Sequence, residues 1–94
     1  MNGKRKGTRN EHKAIRILEA AGYHCTRAAG SLGIFDIVAV SRQGMRLIQV
    51  KTNRPPSPLE RETIELFDEI PEKVSKEIWI FHDYARKPII KVIA

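Results

Sequence analysis

Residues 33–51 read GIFDIVAVSRQGMRLIQVK and contain two apolar segments separated by a short polar one. Phe35–Val40 is apolar and largely β-branched apart from Asp36, and Met45–Val50 is a second run of this kind. The intervening Ser41–Gly44 has the composition of a tight turn, and its glycine can adopt a positive φ. The stretch therefore predicts a β-hairpin.

This hairpin is expected to bring one acid and one lysine together. Because side chains alternate along a strand, Gln49 and Lys51 lie on one face and Val50 points to the other. Asp36 begins the first strand and Lys51 ends its partner, so their side chains are expected to lie side by side near loops, where reactive groups are common. Taken singly, Asp36 fits a turn or capping aspartate and Lys51 a solvated lysine. As a pair they form a candidate site.

The composition predicts one globular domain, residues 1–94. A chain of 94 residues can bury a single modest core, and 41% hydrophobic with 30% charged residues is ordinary for a globular protein. No apolar run approaches the length of a membrane span, and no signal-peptide segment follows the basic N-terminus. The single cysteine, Cys25, rules out a disulfide framework. We therefore expect a cytoplasmic protein without a membrane partner.

Charge is distributed unevenly along the chain. Residues 1–54 carry eleven Lys or Arg and three Asp or Glu, whereas residues 55–94 carry six and eight. Such asymmetry, with a pI near 9.8, indicates a surface that faces a polyanion. Nucleic acid is therefore the first partner to consider.

The segment before the hairpin predicts a helix and a strand. Met1–Gly7 is expected to form a short basic arm, and Thr8 with Glu11 has the form of a capping box. Apolar residues at helical spacing follow, and Gly22 is expected to end the helix as its C′ residue. Tyr23–Arg27 predicts a strand, which leads into a loop of small residues. Glu11 has a complete structural explanation as the reciprocal cap.

The segment after the hairpin predicts a second helix and two strands. Ser57 and Glu60 form another capping box, and the helix is expected to run to about Ile70, before Pro71. Its expected buried side comprises Leu59, Ile64 or Thr63, Phe67 and Ile70. Strands are predicted over residues 77–82 and 88–93. The order α-β-β-β-α-β-β indicates a layered α/β or α+β fold.

With these features in order, the chain resembles the PD-(D/E)XK nucleases, and among them most of all the archaeal-type Holliday junction resolvases. The matching features are the basic lead Arg5–Gly7, an early helical Glu11, the loop Arg27–Ser31, Asp36 opening an apolar strand, and the triplet Gln49-Val50-Lys51. The resemblance implies a restriction-endonuclease-like αβββαβ core, with a central mixed sheet flanked by helices. It covers residues 4–54 well and the remainder only in element order and hydrophobicity.

Two positions depart from the family motif. Phe35 stands where the motif has proline, a change that resolvase-like members tolerate. Gln49 stands where the motif has an acid, as it does in nucleases related to the Mrr type, which use QxK and remain active. The resemblance therefore still implies an endonuclease, although the neutral Gln49 keeps a non-catalytic DNA-binding module as an alternative.

The expected chemistry is metal-dependent phosphodiester hydrolysis. Hard cations such as Mg²⁺ or Mn²⁺ prefer oxygen ligands, and activate water beside a phosphate. The expected ligands are Glu11, Asp36, the Gln49 amide oxygen and the Val50 carbonyl. Lys51 would orient the attacking water or offset charge on the phosphate. The resemblance adds Ser31 as an auxiliary catalytic residue.

The expected substrate is DNA, most specifically a four-way junction. The candidate backbone-binding residues are Arg5, Lys6, Arg9, Lys13 and Arg54, which would position DNA without reading its sequence. The family acts as homodimers, and Trp79 with Phe81 would serve either as core residues or as interface anchors. Another nuclease acting on branched, nicked or duplex DNA remains an alternative. A double-stranded RNA-binding domain is disfavoured, because the second helix opens with acidic rather than basic residues.

Overall fold

The computed structural model describes residues 3–28, 34–68 and 72–93, with side chains from Gly7 onward. The elements are α1 (Gly3–Ala20), β1 (His24–Arg27), β2 (Ile37–Ser41), β3 (Gly44–Thr52), α2 (Pro58–Leu66), β4 (Val74–Phe81) and β5 (Ile89–Val92). This order confirms the predicted α-β-β-β-α-β-β sequence of elements. None of the helices described here is long and apolar enough to cross a membrane.

The described strands form one mixed sheet in the order β1-β2-β3-β4-β5. Neighbouring strands are antiparallel except β3 and β4, which are parallel. Parallel strands need a crossover connection, and α2 supplies it between these two. The predicted fold, a central mixed sheet flanked by helices, is confirmed.

Each face of the sheet has its own hydrophobic core, because alternate strand residues point to opposite sides. The core under α1 contains Ala14, Leu18, Ile37, Ala39, Ile48, Trp79 and Phe81. The core under α2 contains Phe35, Leu47, Ile64, Ile78 and Ile80. Trp79 and Phe81 are therefore core residues rather than exposed interface anchors.

The first helix begins earlier than the sequence predicts. The helical backbone starts at Gly3, so Thr8 lies inside the helix and does not act as its N-cap. The predicted capping box with Glu11 is therefore wrong, and residues 3–7 belong to α1 instead of forming a separate arm. A capping motif is a local signal, and here the residues before it are themselves helical, so the helix continues through it. At the other end Gly22 has a φ of +94°, as expected for a C′ glycine.

The central hairpin is confirmed. Ser41 pairs with Gly44 across a two-residue loop, and Ile37 pairs with Ile48 further along. Gly44 has a φ of +135°, and a Cβ at this position would lie 2.6 Å from the carbonyl oxygen of Lys73. Both the backbone conformation and the close approach therefore require glycine at the turn.

The second helix starts as predicted and ends earlier. The capping box is complete, because Ser57 Oγ accepts from the Glu60 N–H (3.2 Å) and Glu60 Oε1 accepts from the Ser57 N–H (2.9 Å). The helix ends at Leu66 instead of about residue 70, and Ile70 lies outside the described residues. Ile64 is fully buried, whereas Leu59 is 73% exposed, so its predicted burial is wrong.

A buried lysine binds the C-terminal end of α2. Lys76 is 4% exposed, and its ammonium donates to the carbonyls of Ile64 (2.8 Å), Glu65 (3.0 Å) and Phe67 (3.0 Å). These carbonyls belong to the last turn of the helix and its C-cap Phe67, where carbonyls commonly lack an intrahelical partner; that of Ile64 also accepts from the Phe67 N–H at 3.2 Å. The side chain thus caps the C-terminus of α2 and ties it to β4, which begins three residues before the predicted strand.

A second buried charge joins β3 to β4. Glu77 is 3% exposed. Its carboxylate accepts hydrogen bonds from Arg46 Nε (2.8 Å) and Nη2 (2.7 Å), from Trp79 Nε1 (2.9 Å) and from the Ser75 hydroxyl. The Arg46 guanidinium also lies over the rings of Tyr23 and Trp79, 5.1 and 5.4 Å from their centroids. Burial alone would raise the pKa of Glu77, but these hydrogen bonds, led by that of Arg46, hold it below its ordinary value.

Candidate active site

Asp36 is held by hydrogen bonds at the point where β2 and β3 begin to pair. Its N–H donates to the Ile48 carbonyl and its carbonyl accepts from the Ala28 N–H, both at 2.8 Å. The side-chain Oδ2 accepts from the Val50 N–H at 2.7 Å. These bonds leave the carboxylate in a defined orientation beside Val50, the residue before Lys51 in β3.

Lys51 and Gln49 project from β3 toward the α2 side of the sheet, whereas Val50 packs against the core under α1. The alternation predicted from the sequence is therefore confirmed. The Lys51 ammonium contacts the Glu60 carboxylate, at 3.3 Å from Oε1 and 3.1 Å from Oε2. An acid at the start of α2 thus meets the lysine at the end of β3.

Gln49 is buried without a hydrogen bond to its acceptor. The residue is 6% exposed, and its Oε1 has no partner among the described residues. Buried polar atoms of folded proteins are nearly always satisfied, so an orphaned acceptor indicates a missing donor or cation. Gln49 shares a face of β3 with Lys51 and precedes Val50, whose N–H binds Asp36, so its oxygen is assigned to the candidate site.

Glu11 reaches the site from α1, where it forms an ion pair with Arg27 at the end of β1. Arg27 Nη2 lies 2.8 Å and Nε 3.0 Å from Glu11 Oε1. Both contacts engage the same carboxylate oxygen. The sequence alone indicates Arg27 only as part of a loop motif, whereas its pairing with Glu11 joins residues from separate elements.

The electrostatics of Asp36 show that these groups share one region. Burial raises the pKa of the Asp36 carboxyl, the Val50 N–H lowers it, and the Glu11 charge raises it further. The charges of Lys51 and Arg27 lower it, and the net shift is upward. A cation bound here would stabilise the ionised form of Asp36, which is desolvated and lies near the Glu11 carboxylate.

The Asp36 pKa can be tested by a carboxyl carbon-13 NMR titration of the metal-free protein. The carboxyl is expected to titrate above the range of an ordinary aspartate. Glu11→Gln removes a raising charge and should lower the Asp36 pKa, whereas Lys51→Met removes a lowering charge and should raise it. Shifts in the same direction for both variants would contradict the arrangement. Glu62→Gln, on the exposed side of α2, is the control and should leave the titration unchanged.

Two further contacts fix the end of β3 beside Lys51. The buried Asn10 of α1 donates through Nδ2 to Thr52 Oγ1 at 2.7 Å. Asn53 has a φ of +63° and exchanges hydrogen bonds with Asp83, through Nδ2 to Oδ2 (3.0 Å) and through Oδ1 from the Asp83 N–H (2.8 Å). Short polar side chains with these contacts hold the strand end between α1 and the loop after β4.

The predicted DNA-binding residues lie on α1 and in the segment after β3. Arg9 and Lys13 are exposed on α1 on either side of Glu11 in the sequence, and Arg54 is exposed three residues after Lys51. Arg5 and Lys6 lie in the helical backbone of α1, and Ser31 lies outside the described residues. Sequence reasoning missed the roles of Arg27, Glu60 and Asn10 in this site. Glu60 had a local explanation as a cap, which concealed its contact with Lys51.

Comparison with known proteins identifies the family. The family model of the archaeal Holliday junction resolvases (Hjc) matches residues 2–93. The chain belongs to this family. Among solved structures it is similar to Hjc, a Holliday junction resolvase from the archaeal hyperthermophile Archaeoglobus fulgidus, with a TM-score of 0.74 and 25% sequence identity over 94% of this chain and 73% of that one. No curated protein matched the chain significantly in sequence.

The resolvase family implies a divalent cation, and the donor set can be compared with that requirement. In the part of the chain described, no three His, Cys, Asp or Glu side chains cluster as metal ligands. Asp36 nevertheless offers a desolvated carboxylate, and Gln49 offers a buried oxygen without a donor. Oxygen donors of these two kinds suit a hard cation. The residues therefore fit a metal held by few charged ligands.

Proposed function

We propose that this chain is a metal-dependent endonuclease that resolves four-way DNA junctions at the site formed by Glu11, Asp36, Gln49 and Lys51. The observation that carries the proposal is the desolvated Asp36 carboxylate, bound to the Val50 N–H and lying in the field of Lys51 and Glu11. Together with family membership, this arrangement supports phosphodiester hydrolysis as the reaction.

The proposed metal ligands are Glu11, Asp36, the Gln49 Oε1 and the Val50 carbonyl. A bound Mg²⁺ or Mn²⁺ supplies activation of water and neutralisation of charge on the phosphate. Asp36 is pre-oriented for this role by its bond to Val50, and Gln49 contributes an acceptor that the protein leaves unsatisfied. Glu11 would present Oε2, since Arg27 engages Oε1.

Lys51 is proposed to act on the phosphate and the attacking water. Its ammonium donates hydrogen bonds to either group and offsets the charge that develops on the phosphate oxygens. Arg27, paired with Glu11 at the edge of the same region, would keep the Glu11 carboxylate oriented. Ser31 remains proposed as an auxiliary residue on the basis of the family resemblance alone.

The DNA backbone is proposed to lie along the basic surface around the site. Arg9 and Lys13 expose positive charge on α1, and Arg54 does so beyond β3. Arg5 and Lys6, which precede Arg9 in the same helix, are proposed to contact phosphates as well. Contacts of this type neutralise phosphates without reading bases, as recognition of a junction by its shape requires.

A homodimer is proposed as the working form, because two strands of a junction need two active sites. A twofold axis relating two copies would place these sites on opposing strands. Exposed apolar side chains on α2 and β5 provide surface that such an interface could bury; they are Leu59, Leu66, Ile89, Ile90 and Val92. A cytoplasmic location is also proposed, and it is compatible with action on DNA.

The proposal is tested with a labelled four-way junction and its linear duplex counterpart, in Mg²⁺ or Mn²⁺. Paired, symmetric nicks in the junction, lost after chelation of the metal, are the expected result. The duplex should remain intact, and flap and nicked substrates identify any broader preference. Asp36→Ala protein, prepared in parallel, controls for contaminating nuclease.

The second candidate is a DNA-binding module without catalysis, which the neutral Gln49 favours. Tight junction binding with no cleavage in either metal would select this module and overturn the proposed enzyme. Cleavage of flaps or duplex in preference to junctions would instead retain the nuclease and overturn its substrate.

A further inference from the structure

Glu60 makes two kinds of contact with the same carboxylate. Oε1 accepts from the Ser57 N–H at 2.9 Å, which completes the capping box of α2, and it also lies 3.3 Å from the Lys51 ammonium. Oε2 lies 3.1 Å from that ammonium. The capping box accounts for the first contact but not for the pairing with a lysine on another element.

We propose that Glu60 is a positioning residue for Lys51, which it holds in its working orientation. The inference rests on the proposed function, because it assigns Glu60 a role only through the action of Lys51 on the phosphate. Glu60 does not touch the reacting atoms in this account. It fixes the position of the Lys51 ammonium before DNA binds.

The need for a positioning group follows from the chemistry of lysine. The ammonium is a compact charge on a flexible four-carbon stem, so a strand backbone alone does not define its position. Gln49 shares the face of β3 on which Lys51 lies, but its orphaned Oε1 makes no hydrogen bond in the described structure, to Lys51 or otherwise. The acceptor that contacts the Lys51 ammonium is therefore Glu60 of α2.

Glu60 is itself well suited to hold another group. Its carboxylate is oriented by the Ser57 N–H, so pairing with Lys51 requires little additional ordering of the glutamate. The Ser57 N–H and then Lys51 lower the pKa of the Glu60 carboxyl, which keeps it charged when Lys51 is present. Precise placement of a catalytic group by such a supporting contact has a large effect on rate, because small misplacements are costly.

The Lys51–Glu60 pair is also less exposed than the surface ion pair of the same helix. The Lys51 side chain is 21% exposed and that of Glu60 39% exposed, and both carboxylate oxygens contact the ammonium. For comparison, the Arg61–Glu65 pair on the same helix joins side chains that are 48% and 49% exposed. Exposed pairs of that kind contribute little to structure.

Two substitutions separate the positioning role from the capping role. Glu60→Gln removes the charge but keeps an amide oxygen that can cap Ser57, since glutamine serves in a capping box as glutamate does. Ser57→Ala removes the hydroxyl that accepts from the Glu60 N–H and leaves the carboxylate on Lys51. The first variant tests the pairing, and the second is the matched control for the helix start.

The experiment measures single-turnover cleavage of a saturating four-way junction, the dissociation constant for that junction, and the nitrogen-15 NMR signal of the Lys51 ammonium without DNA. Glu60→Gln is expected to lower the cleavage rate about 10- to 100-fold with the dissociation constant unchanged. Wild-type protein is expected to show a Lys51 ammonium signal in slow exchange with water, and Glu60→Gln should abolish it. Ser57→Ala should retain that signal and cleave at close to the wild-type rate.

Three results would overturn the inference. Equal rates for wild type and Glu60→Gln would show that Lys51 needs no such partner, and faster cleavage would show that Glu60 withholds the lysine. A larger loss in Ser57→Ala than in Glu60→Gln would show that only the cap matters. Wild-type protein that binds the junction without cutting it would overturn the proposed function itself, a result distinct from these three.

Discussion

Asp36→Asn protein is expected to cleave four-way junctions at least about 1,000-fold more slowly than wild type, because it loses the carboxylate at the centre of the site. Asparagine is nearly isosteric and its amide oxygen can still accept from the Val50 N–H. The change therefore removes charge while keeping the local backbone in place. Single-turnover cleavage of a labelled junction in Mg²⁺ measures the loss.

The stability of the same variant distinguishes lost chemistry from lost folding. The pKa of Asp36 is raised in the folded protein, so the native state binds its proton more readily than the unfolded chain does. Free energy of unfolding then falls as pH rises from the ordinary aspartate range through the raised pKa, and ionised Asp36 is destabilising at neutral pH. Asp36→Asn should accordingly raise the melting temperature at neutral pH, and junction affinity should not fall.

The control for Asp36→Asn is Asp68→Asn, which removes an exposed carboxylate beyond the end of α2. This variant should cleave as wild type does. Loss of junction binding in parallel with cleavage by Asp36→Asn would contradict a catalytic role, and would assign Asp36 to DNA docking or to folding. A lowered melting temperature would contradict the electrostatic account.

Glu77→Gln is expected to lower the free energy of unfolding by about 3–5 kcal/mol, because it breaks a buried ion pair and leaves Arg46 without its counter-charge. The carboxylate oxygens accept from Arg46, Ser75 and Trp79. A glutamine amide would direct its own N–H groups at some of these donors. The melting temperature should fall by more than about 10 °C for a domain of this size.

The matched control for Glu77→Gln is Glu65→Gln, which makes the same chemical change in the exposed pair with Arg61. We expect Glu65→Gln to lower the free energy of unfolding by less than about 0.5 kcal/mol. Urea denaturation of both variants, followed by the fluorescence of the buried Trp79, measures the difference. Similar losses in the two variants would show that burial of Glu77 adds nothing to the pair.

The fold was accessible from the sequence because its central hairpin is defined locally. Alternating apolar residues, a glycine turn and the strand period together place Gln49 and Lys51 on one face and Asp36 near them. These are short-range signals, and each agrees with the sheet register. The same register brings Asp36 close to Gln49, Val50 and Lys51, so the proximity of these residues follows from local patterns alone.

The surroundings of the site depend on contacts between distant segments, which local patterns do not report. Glu11 fits a capping box in the sequence, yet it lies inside α1 and pairs with Arg27. Lys76 would be expected on the surface by its charge, yet it is buried under the end of α2. Glu60 performs its predicted local role and also a long-range one. In each case a charged side chain finds its partner through tertiary packing.

Because Lys76 is buried, acylation of its amine can be used to measure local opening of the protein. Reagents that acylate lysine need a free, uncharged amine, and here the amine is shielded while it binds the last carbonyls of α2. Acylation at this position therefore requires that the C-terminal end of α2 release the amine. Because Glu60 lies in the first turn of the same helix, the extent of acylation at Lys76 reports how often the opposite end of the helix that supports Lys51 is released.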